Sequence, residues 1–319
     1  MLKTVTVGVT AHNEEANISC MIQSVLRQSG QLFLLEKIIV ILDACSDKTE
    51  SIVMELQKEY PMIEIISDNE RKGKLARVND LYRLNKSDFL VTIDADVVFE
   101  STDDIEGMVH IFLQNESVNV VAAHEIPVAG KTFVERVNNA GHRLWDETRL
   151  WVHGGNHIHN LRGSCSMVRK SFADNVIYPE NVASDAGFLY ITATKDNPHG
   201  FAYGYNSHIF FRSPDNLLEC RILGTRAIFN RKKHLSKHFG PWVYKLYVIP
   251  WWPYKIKALT KTLFFHPFMT TLSICLGLYV RLSPIFDSKS YKGTWTMITS
   301  SKGKIENPVA EYSILSKLR

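Results

Sequence analysis

The sequence predicts an α/β fold in which a mostly parallel sheet carries helices on both faces, followed by a basic, aromatic helical region. Three observations predict it. Strand-like runs rich in Val and Ile alternate with helical runs over the first hundred residues. The apolar run from Phe89 to Phe99 is interrupted by two carboxylates one residue apart, Asp94 and Asp96. Further polar residues gather at the ends of the earlier strand-like runs, the edge at which open parallel sheets bind ligands.

Thr4 to Thr10 alternates with a β-branched bias and reads as the first strand. A polar loop, Ala11-His12-Asn13-Glu14-Glu15, follows it. Ile18, Met21, Ile22, Val25 and Leu26 then recur at helical spacing between Asn17 and Gln28. Lys37 to Leu42 is the second strand, ending at Asp43-Ala44-Cys45-Ser46-Asp47, and a helix is expected from Lys48 to Glu59. Met62 to Ser67 is a short third strand. The loop Asn69 to Lys74 leads into a helix through Leu75, Val78 and Leu81, which delivers the chain to the Asp94 strand.

Right-handed crossovers place these strand ends on one rim. His12, Asn13, Glu14, Asp43, Asp47, Lys72, Lys74, Asp94 and Asp96 fall there. Carboxylates at i and i+2 of an extended strand share a side and repel unless a cation lies near them. On its own an Asp-x-Asp is as readily an acid-containing turn. In this company it suits a nucleoside diphosphate with a divalent metal, since the rim offers acceptors, cations and metal-ligating oxygens. No GxGxxG follows the first strand and no GxxxxGK[ST] occurs, which argues against a dinucleotide oxidoreductase and a P-loop ATPase.

Beyond the rim, a helix is expected from Ser101 to Asn115 and a strand from Val118 to Ala123. Residues 127 to 160 read as irregular. They include a loop with His153, His157 and His159 beside Gly154 and Gly155, better suited to a mobile loop near an acceptor than to a metal site. Leu161 to Lys170 resembles a short strand, and Asp185 opens an apolar helical run after Ser184, where a helix-start acid is stabilised by free amides. Phe201 to Phe211 alternates as a strand.

The tail differs in kind. A helix is expected from Leu217 to Phe229, carrying Arg221 and Arg226, and Arg231-Lys232-Lys233-His234 continues it. Between Glu219 and Asp287 there are eleven Arg and Lys and no acid, with Trp242, Trp251 and Trp252 among them. Such a segment suits an anionic surface. Pro250 and Pro253 are expected to break the chain. The nineteen uncharged residues from Thr262 to Val280 are read first as interfacial helices, with a kinked membrane span and a buried helix as alternatives. The last thirty residues read as loop and mobile end. With 45% hydrophobic and 22% charged residues the composition is globular. Five scattered cysteines without a CxxC pair point to neither a disulfide framework nor a zinc knuckle.

Taken in order, Thr10-Ala11-His12-Asn13-Glu14-Glu15, Asp43-Ala44-Cys45-Ser46-Asp47, Gly73-Lys74, Asp94-Ala95-Asp96, Gly163 with Arg169, and Asp185 resemble family 2 of the nucleotide-sugar glycosyltransferases, which have the GT-A fold. The resemblance covers about residues 4 to 230. It implies an inverting transfer of one sugar from a nucleotide-diphosphate sugar to a hydroxyl of a glycan or lipid-linked acceptor. Ala11, Asn13 and Glu14 would hold the nucleotide, Asp43 the base or ribose, Lys74 the diphosphate, and Asp94 the ribose or donor. Asp96 would bind Mg²⁺ or Mn²⁺, and Asp185 would be the general base. Two departures are plain: Ser184-Asp185 stands where the family usually has Glu-Asp, and no Gln-x-x-Arg-Trp follows, leaving Arg221 or Arg226 as candidate diphosphate clamps.

The expected organisation is a catalytic domain over 1–230, with a nucleotide-binding half over 1–100 and an acceptor-binding half over 101–230. Residues 231–319 would be a membrane-associating region, peripheral or weakly inserted at the cytoplasmic face of a membrane through residues 242–286. A polyprenyl-phosphate glycosyltransferase, a non-catalytic membrane scaffold and a nucleotidyltransferase are the rival readings. The acid-poor apolar tail favours lipid over nucleic acid as its partner.

Overall fold

The computed structural model describes residues 2–180, 182, 184–227, 231–248, 251–282, 300–305 and 308. Its first half is β1 (Lys3–Ala11), α1 (Ile18–Leu26), β2 (Phe33–Asp43), α2 (Thr49–Glu59), β3 (Ile63–Asp68), α3 (Lys74–Leu84) and β4 (Phe89–Asp94). β1 pairs parallel with both β2 and β4, and β2 pairs parallel with β3. Val5, Val7 and Val9 of β1 and Ile38, Val40 and Leu42 of β2 are buried in one apolar core with Ile18, Met21 and Ile22 of α1. Gly8 is required by the other face: a Cβ there would lie 2.8 Å from the Leu81 methyls, so α3 sits directly on β1.

The acids divide the long apolar run. β4 ends at Asp94, the chain turns through Ala95 and Asp96, and Val98–Phe99 forms a separate strand, β5. The second half follows as α4 (Asp104–Gln114), β6 (Val120–Pro127), α5 (Phe133–Arg149), β7 (Cys165–Arg169), α6 (Lys170–Ala173), α7 (Asp185–Thr194) and β8 (Phe201–Phe211). β7 runs antiparallel to β4 and β6, β6 parallel to β8, and β5 antiparallel to β8. The sheet order is β3-β2-β1-β4-β7-β6-β8-β5.

One expectation fails here. Residues 127 to 160 contain a 17-residue helix, α5, instead of irregular chain. It opens on a capping box: Thr132 Oγ1 accepts from the Glu135 amide at 3.1 Å, and Glu135 Oε2 accepts from the Thr132 amide at 2.7 Å. Its buried face is largely polar, with Glu135, Asn139, Asp146, Thr148 and Arg149, so apolar periodicity does not reveal it. Arg149 is fully buried and held by Asp146 at 2.7 Å, under the Tyr203 ring.

The tail is helical: α8 (Leu217–Thr225), α9 (Arg231–Phe239), α10 (Val243–Leu246), α11 (Trp252–Phe265) and α12 (Pro267–Leu282). α8 covers Leu217–Thr225 of the helix expected from Leu217 to Phe229, residues 226 and 227 continue it with a wider turn, and residues 228–230 lie outside the described ones. The stretch expected to break at its prolines is divided between α10 and α11, with Pro253 in the first turn of α11, where its missing amide costs nothing; Pro250 lies outside the described residues. α11 and α12 pack on each other and on α5, and α12 also touches α8. The nineteen uncharged residues are thus shared between two helices parted at His266-Pro267. No helix among the described residues is long and apolar enough to cross a membrane.

Candidate active site

Lys74 is the hub of the rim. It is the first residue of α3, preceded by Gly73 in a left-handed backbone conformation, φ 86°. Its Nζ lies 2.6 Å from Asp94 Oδ1 at the end of β4, 3.1 Å from Asp185 Oδ2 at the start of α7, and 3.0 Å from the Gly163 carbonyl. Gly163, at φ 96°, is needed there, because a Cβ would stand 2.9 Å from the Asp185 carboxylate. Three segments distant in sequence are thereby drawn to one point.

Asp185 is oriented by its own helix. Ser184 caps α7, accepting from the Gly187 amide at 3.1 Å, and Asp185 Oδ1 accepts from the Ala186 amide at 2.7 Å. Ser184 and Lys74 thus flank the acid where a neighbouring carboxylate was expected. Glu180, the acid four residues before Ser184, is exposed.

Charge at the rim is unbalanced. Burial raises the Asp94 carboxyl to about 7; the Lys74 ammonium opposes that rise and the Asp96 charge adds to it. Burial also raises Asp96, against the pull of Lys302 and Lys74. Glu14 is raised to about 7 by burial and by Asp96. Burial works against the Lys74 ammonium, yet Asp185 and Asp94 outweigh it and hold the charge more firmly than on a free lysine. A site that holds more carboxylates than its cations neutralise attracts further positive charge.

The loops after β1 and β2 are held by side-chain locks and two positive-φ residues. Asn13 and Ala44 both have positive φ, 54° and 56°. Asn13 Oδ1 accepts from the Ser46 amide at 2.8 Å, joining the loops after β1 and β2. His12 Nδ1 lies 2.7 Å from the Asp43 carbonyl, and the Glu14 amide donates to Thr49 Oγ1 at 2.8 Å. Asp43 is buried with both oxygens engaged: it accepts from the Lys72 and Gly73 amides at 2.9 and 2.8 Å and pairs with Arg77 at 2.7 Å. Its contacts therefore shape the turn that presents Lys74.

A cleft of about 930 Å³ runs from Asp94, Asp96 and Asp185 between α5, α8, α11 and α12. Near the acids it is polar, with Glu125 paired to Arg162 at 2.9 Å and a neutral His142 whose pKa burial lowers to about 3. Farther out it is lined by Leu223, Leu259, Ile274, Leu276, Leu278 and Val280, with Arg226, Lys255 and Arg281 among them. Arg226 is thus brought to the cleft. Arg221 is not; it lies over the Tyr279 ring at 5.4 Å.

The histidine loop is placed elsewhere. His157 is buried and bonds the Arg149 carbonyl at 3.0 Å, while His157 and His159 stack edge-on against Trp251 at 5.6 and 5.3 Å. His153 is exposed at φ 49°, and none of the three lines the cleft. The reason is that aromatic packing ties this loop to the chain just before α11. No group of three or more His, Cys, Asp or Glu among the described residues forms a metal cage. Asp94 and Asp96 fit a hard divalent ion only as part of a shell that substrate oxygens complete, and their burial-raised carboxyls are consistent with that share.

Sequence reasoning missed Glu125, Arg162 and Lys302. The first two lie on either side of a region with no motif. Lys302 sits in a stretch expected to be a mobile end, yet its Nζ pairs with Glu14 and donates to the His12 carbonyl at 3.0 Å. Residues 300–305 form a packed segment, with Ile305 only 2% exposed in the main core; apart from residue 308, the rest of the expected mobile end lies outside the described residues.

Residues 6–177 match the family model described as glycosyl transferase family 2. A β-monoglucosyldiacylglycerol synthase from Trichormus variabilis is 30% identical over 182 residues, 54% of this chain and 37% of that protein. A probable glycosyltransferase of Bacillus subtilis is 28% identical over 141 residues, 43% of this chain and 33% of that protein. The chain thus spans about a third of the length of these curated relatives. Among solved structures, a mannosyltransferase from Pyrobaculum calidifontis, in complex with GDP-Man and Mn²⁺, superposes with a TM-score of 0.59 at 18% identity, covering 91% of this chain and 89% of that one. TarS of S. aureus, in complex with UDP-GlcNAc, gives 0.52 at 13% identity, covering 91% and 95%.

Proposed function

The chain belongs to glycosyl transferase family 2, and from that premise we propose that it moves a single sugar, with inversion, from a nucleotide-diphosphate sugar to a hydroxyl of a lipid-linked acceptor. That it is a glycosyltransferase acting on nucleotide sugars follows from the family; the mechanism, metal, acceptor and residue roles are our reading. The observation that carries it is the convergence of Asp94 and Asp185 on Lys74 at the mouth of the cleft.

In this reading the loop of Ala11, Asn13 and Glu14 holds the nucleoside. Asp94 meets the ribose or donor, Lys74 approaches the diphosphate, and Asp43 acts by fixing the Lys72–Lys74 turn. Asp96, with Asp94, would hold Mg²⁺ or Mn²⁺. When bound, that ion neutralises charge growing on the leaving diphosphate. Asp185 takes the proton of the acceptor hydroxyl as its oxygen forms a bond to the anomeric carbon. The carbon–oxygen bond to the diphosphate breaks on the opposite face, its electron pair leaves with the nucleoside diphosphate, and the configuration inverts. Lys74 is an ion-pair partner of Asp185 before donor arrives; its turn toward the diphosphate would free the carboxylate to act as base.

The acceptor assignment rests on the outer cleft. Its apolar lining is continued by α11 and α12, where Phe264, Phe265, Phe268 and Leu282 are exposed while Thr262, Thr270 and Ser273 are buried. Aromatics outward beside Lys255 and Lys257 suit an interfacial position on an anionic membrane. The glycolipid-synthase relative agrees with a lipid acceptor. We place the protein peripherally at the cytoplasmic face; residues 249–250 and 283–286 of the segment first assigned to the membrane lie outside the described ones.

The deciding experiment offers purified protein a panel of nucleotide sugars with Mg²⁺ or Mn²⁺, with a soluble glycan or vesicles of diacylglycerol and anionic phospholipid as acceptor. Sugar transfer to the vesicle lipid with an inverted anomeric centre is expected. Transfer to the soluble glycan alone would overturn the acceptor class, and a retained anomer would overturn the role of Asp185.

A further inference from the structure

Residues 300–305 return to the donor loop from the far end of the chain. Lys302 Nζ donates to the carbonyls of His12 at 3.0 Å and Asn13 at 3.2 Å, and it pairs with the Glu14 carboxylate. An ammonium has three donors. All three are therefore engaged by three consecutive residues of the loop that follows β1, and none is left for a phosphate. That makes Lys302 a positioning group and not a ligand of the donor.

The loop needs such a group. Asn13 is held at φ 54°, a conformation that residues other than glycine adopt at a cost, and Glu14 is a buried acid. Glu14 Oε1 meets Lys302, while Oε2 has no hydrogen-bond partner among the described residues. A buried carboxylate oxygen left open at the nucleotide loop is aimed at a donor that the ligand must bring.

The segment that delivers Lys302 is itself clamped. The Asn17 side chain donates to the Lys302 carbonyl at 2.7 Å and accepts from the Ile305 amide at 3.1 Å. Arg212 donates to the Gly303 and Lys304 carbonyls, both at 3.2 Å, and pairs with Glu135 at 2.9 Å. Glu219 accepts from the Ser300 amide, and Ile305 enters the main core. Contacts from Asn17 at the cap of α1, Arg212 just after β8 and Glu219 of α8 thus converge on six residues, with Glu135 of α5 behind Arg212.

We propose that residues 300–305 are a strap that completes the donor site, with Lys302 holding the His12–Glu14 loop in its binding conformation. The inference rests on the reading of that loop as the nucleotide site. It makes donor affinity depend on a residue 290 positions from His12, and it leaves the chemistry of bound donor to the Asp94 and Asp185 end of the rim.

The test is calorimetric titration of UDP, GDP, ADP, CDP and dTDP, each with Mn²⁺, into the full chain and into Lys302→Ala, Lys302→Met and Lys302→Arg. Met keeps the aliphatic stem and removes the charge. The nucleotide that binds the wild type is expected to bind the Ala and Met variants about tenfold more weakly, with Arg recovering most of the loss. Donor KM should rise by a similar factor, while kcat at saturating donor stays within about twofold. Hydrogen exchange at the amides of residues 11–15 should quicken in the Ala and Met variants and not in Arg. Unchanged affinity in Ala and Met, a fall in kcat at constant KM, or a loss that merely follows the unfolded fraction would overturn the strap. Failure of the wild type to bind any of the five would instead remove the nucleotide-site reading on which it stands.

Discussion

The nucleotide rim and the helical cap that faces it across the cleft are built on opposite patterns. In the rim, β4 and the last five residues before Asp43 in β2 bury apolar side chains on both faces and place charge where those strands end, at Asp43 and Asp94. In the cap, α11 and α12 turn Thr262, Thr270 and Ser273 inward and present Phe264 at 80% and Phe268 at 65% exposure. The first pattern is that of a core stabilised against water. The second leaves apolar surface that water does not favour, which the proposed seat on a membrane would cover. On that reading donor and acceptor come from different phases, with Asp185 at the boundary.

The sharpest way to break this division is at the boundary itself. Asp185→Asn should lower transfer by about a thousandfold while nucleoside diphosphate affinity stays near wild type, because only the base is lost. Single-turnover transfer and titration of the same preparation check both halves. Near-normal turnover would move the base elsewhere and leave Lys74 pairing Asp185 for fold alone.

The cap is broken next. Replacing Phe264, Phe265 and Phe268 together by Ser should weaken binding to vesicles containing anionic lipid by about a hundredfold, from lost apolar contact. Donor binding in solution should not change. Sedimentation with vesicles at several salt concentrations separates the aromatic contribution, which salt does not screen, from that of Lys255 and Lys257, which it does. Undiminished vesicle binding would assign the exposed face to a protein partner.

The rim then predicts a pH dependence of definite sign. Asp94 and Glu14 are both raised to about 7, above their values in the unfolded chain. Without ligand their contribution to stability is fully present at acid pH and is lost as pH rises through about 7, because folding favours the protonated forms. In the proposed mechanism metal and donor need the ionised forms. Mn²⁺-dependent nucleoside diphosphate affinity should therefore fall by about tenfold per unit as pH drops below 7, if one proton is displaced, and Mn²⁺ with nucleotide should stabilise most above pH 7. Thermal unfolding from pH 5 to 9 with and without both ligands reads it. A metal effect that grows toward acid pH would contradict the charge assignment, and Asp96→Ala should abolish the effect.

The same contrast explains how much could be read from residues alone. β1 to β4 and α1 to α3 show their periods openly, since each buries Val, Ile or Leu against one sheet. The acids and Lys74 then follow from where the strands end. α5 hides because its inward face is Glu135, Asn139, Asp146 and Arg149, which carry no apolar period and whose burial is completed by distant partners, Arg212 for Glu135 and Asn160 for Arg149. Lys302 hides for the same reason at greater range, since nothing local marks a lysine whose partners lie near residue 13. Asp43 was visible as a rim acid, but its bonds to Arg77 and the Gly73 amide, which make it a brace for Lys74, appear only in three dimensions. Periodicity reports apolar burial, and it is silent wherever burial is polar.

The smallest effect tests whether rim and cap are energetically separate. Thr132→Ala removes one side of the α5 capping box and should cost about 1 kcal/mol of stability, measured by denaturant unfolding. α5 carries much of the proposed acceptor side of the cleft, including His142 and Trp145. Acceptor KM should therefore rise as the first turn of α5 loosens, while nucleoside diphosphate affinity holds. One path joins the two regions: Glu135, the partner of Thr132 in the box, also pairs with Arg212, which holds the 303 and 304 carbonyls of the strap. If nucleotide affinity falls together with acceptor affinity in Thr132→Ala, the coupling runs through that path, and combining the substitution with Lys302→Ala should then give less than the sum of the two separate losses.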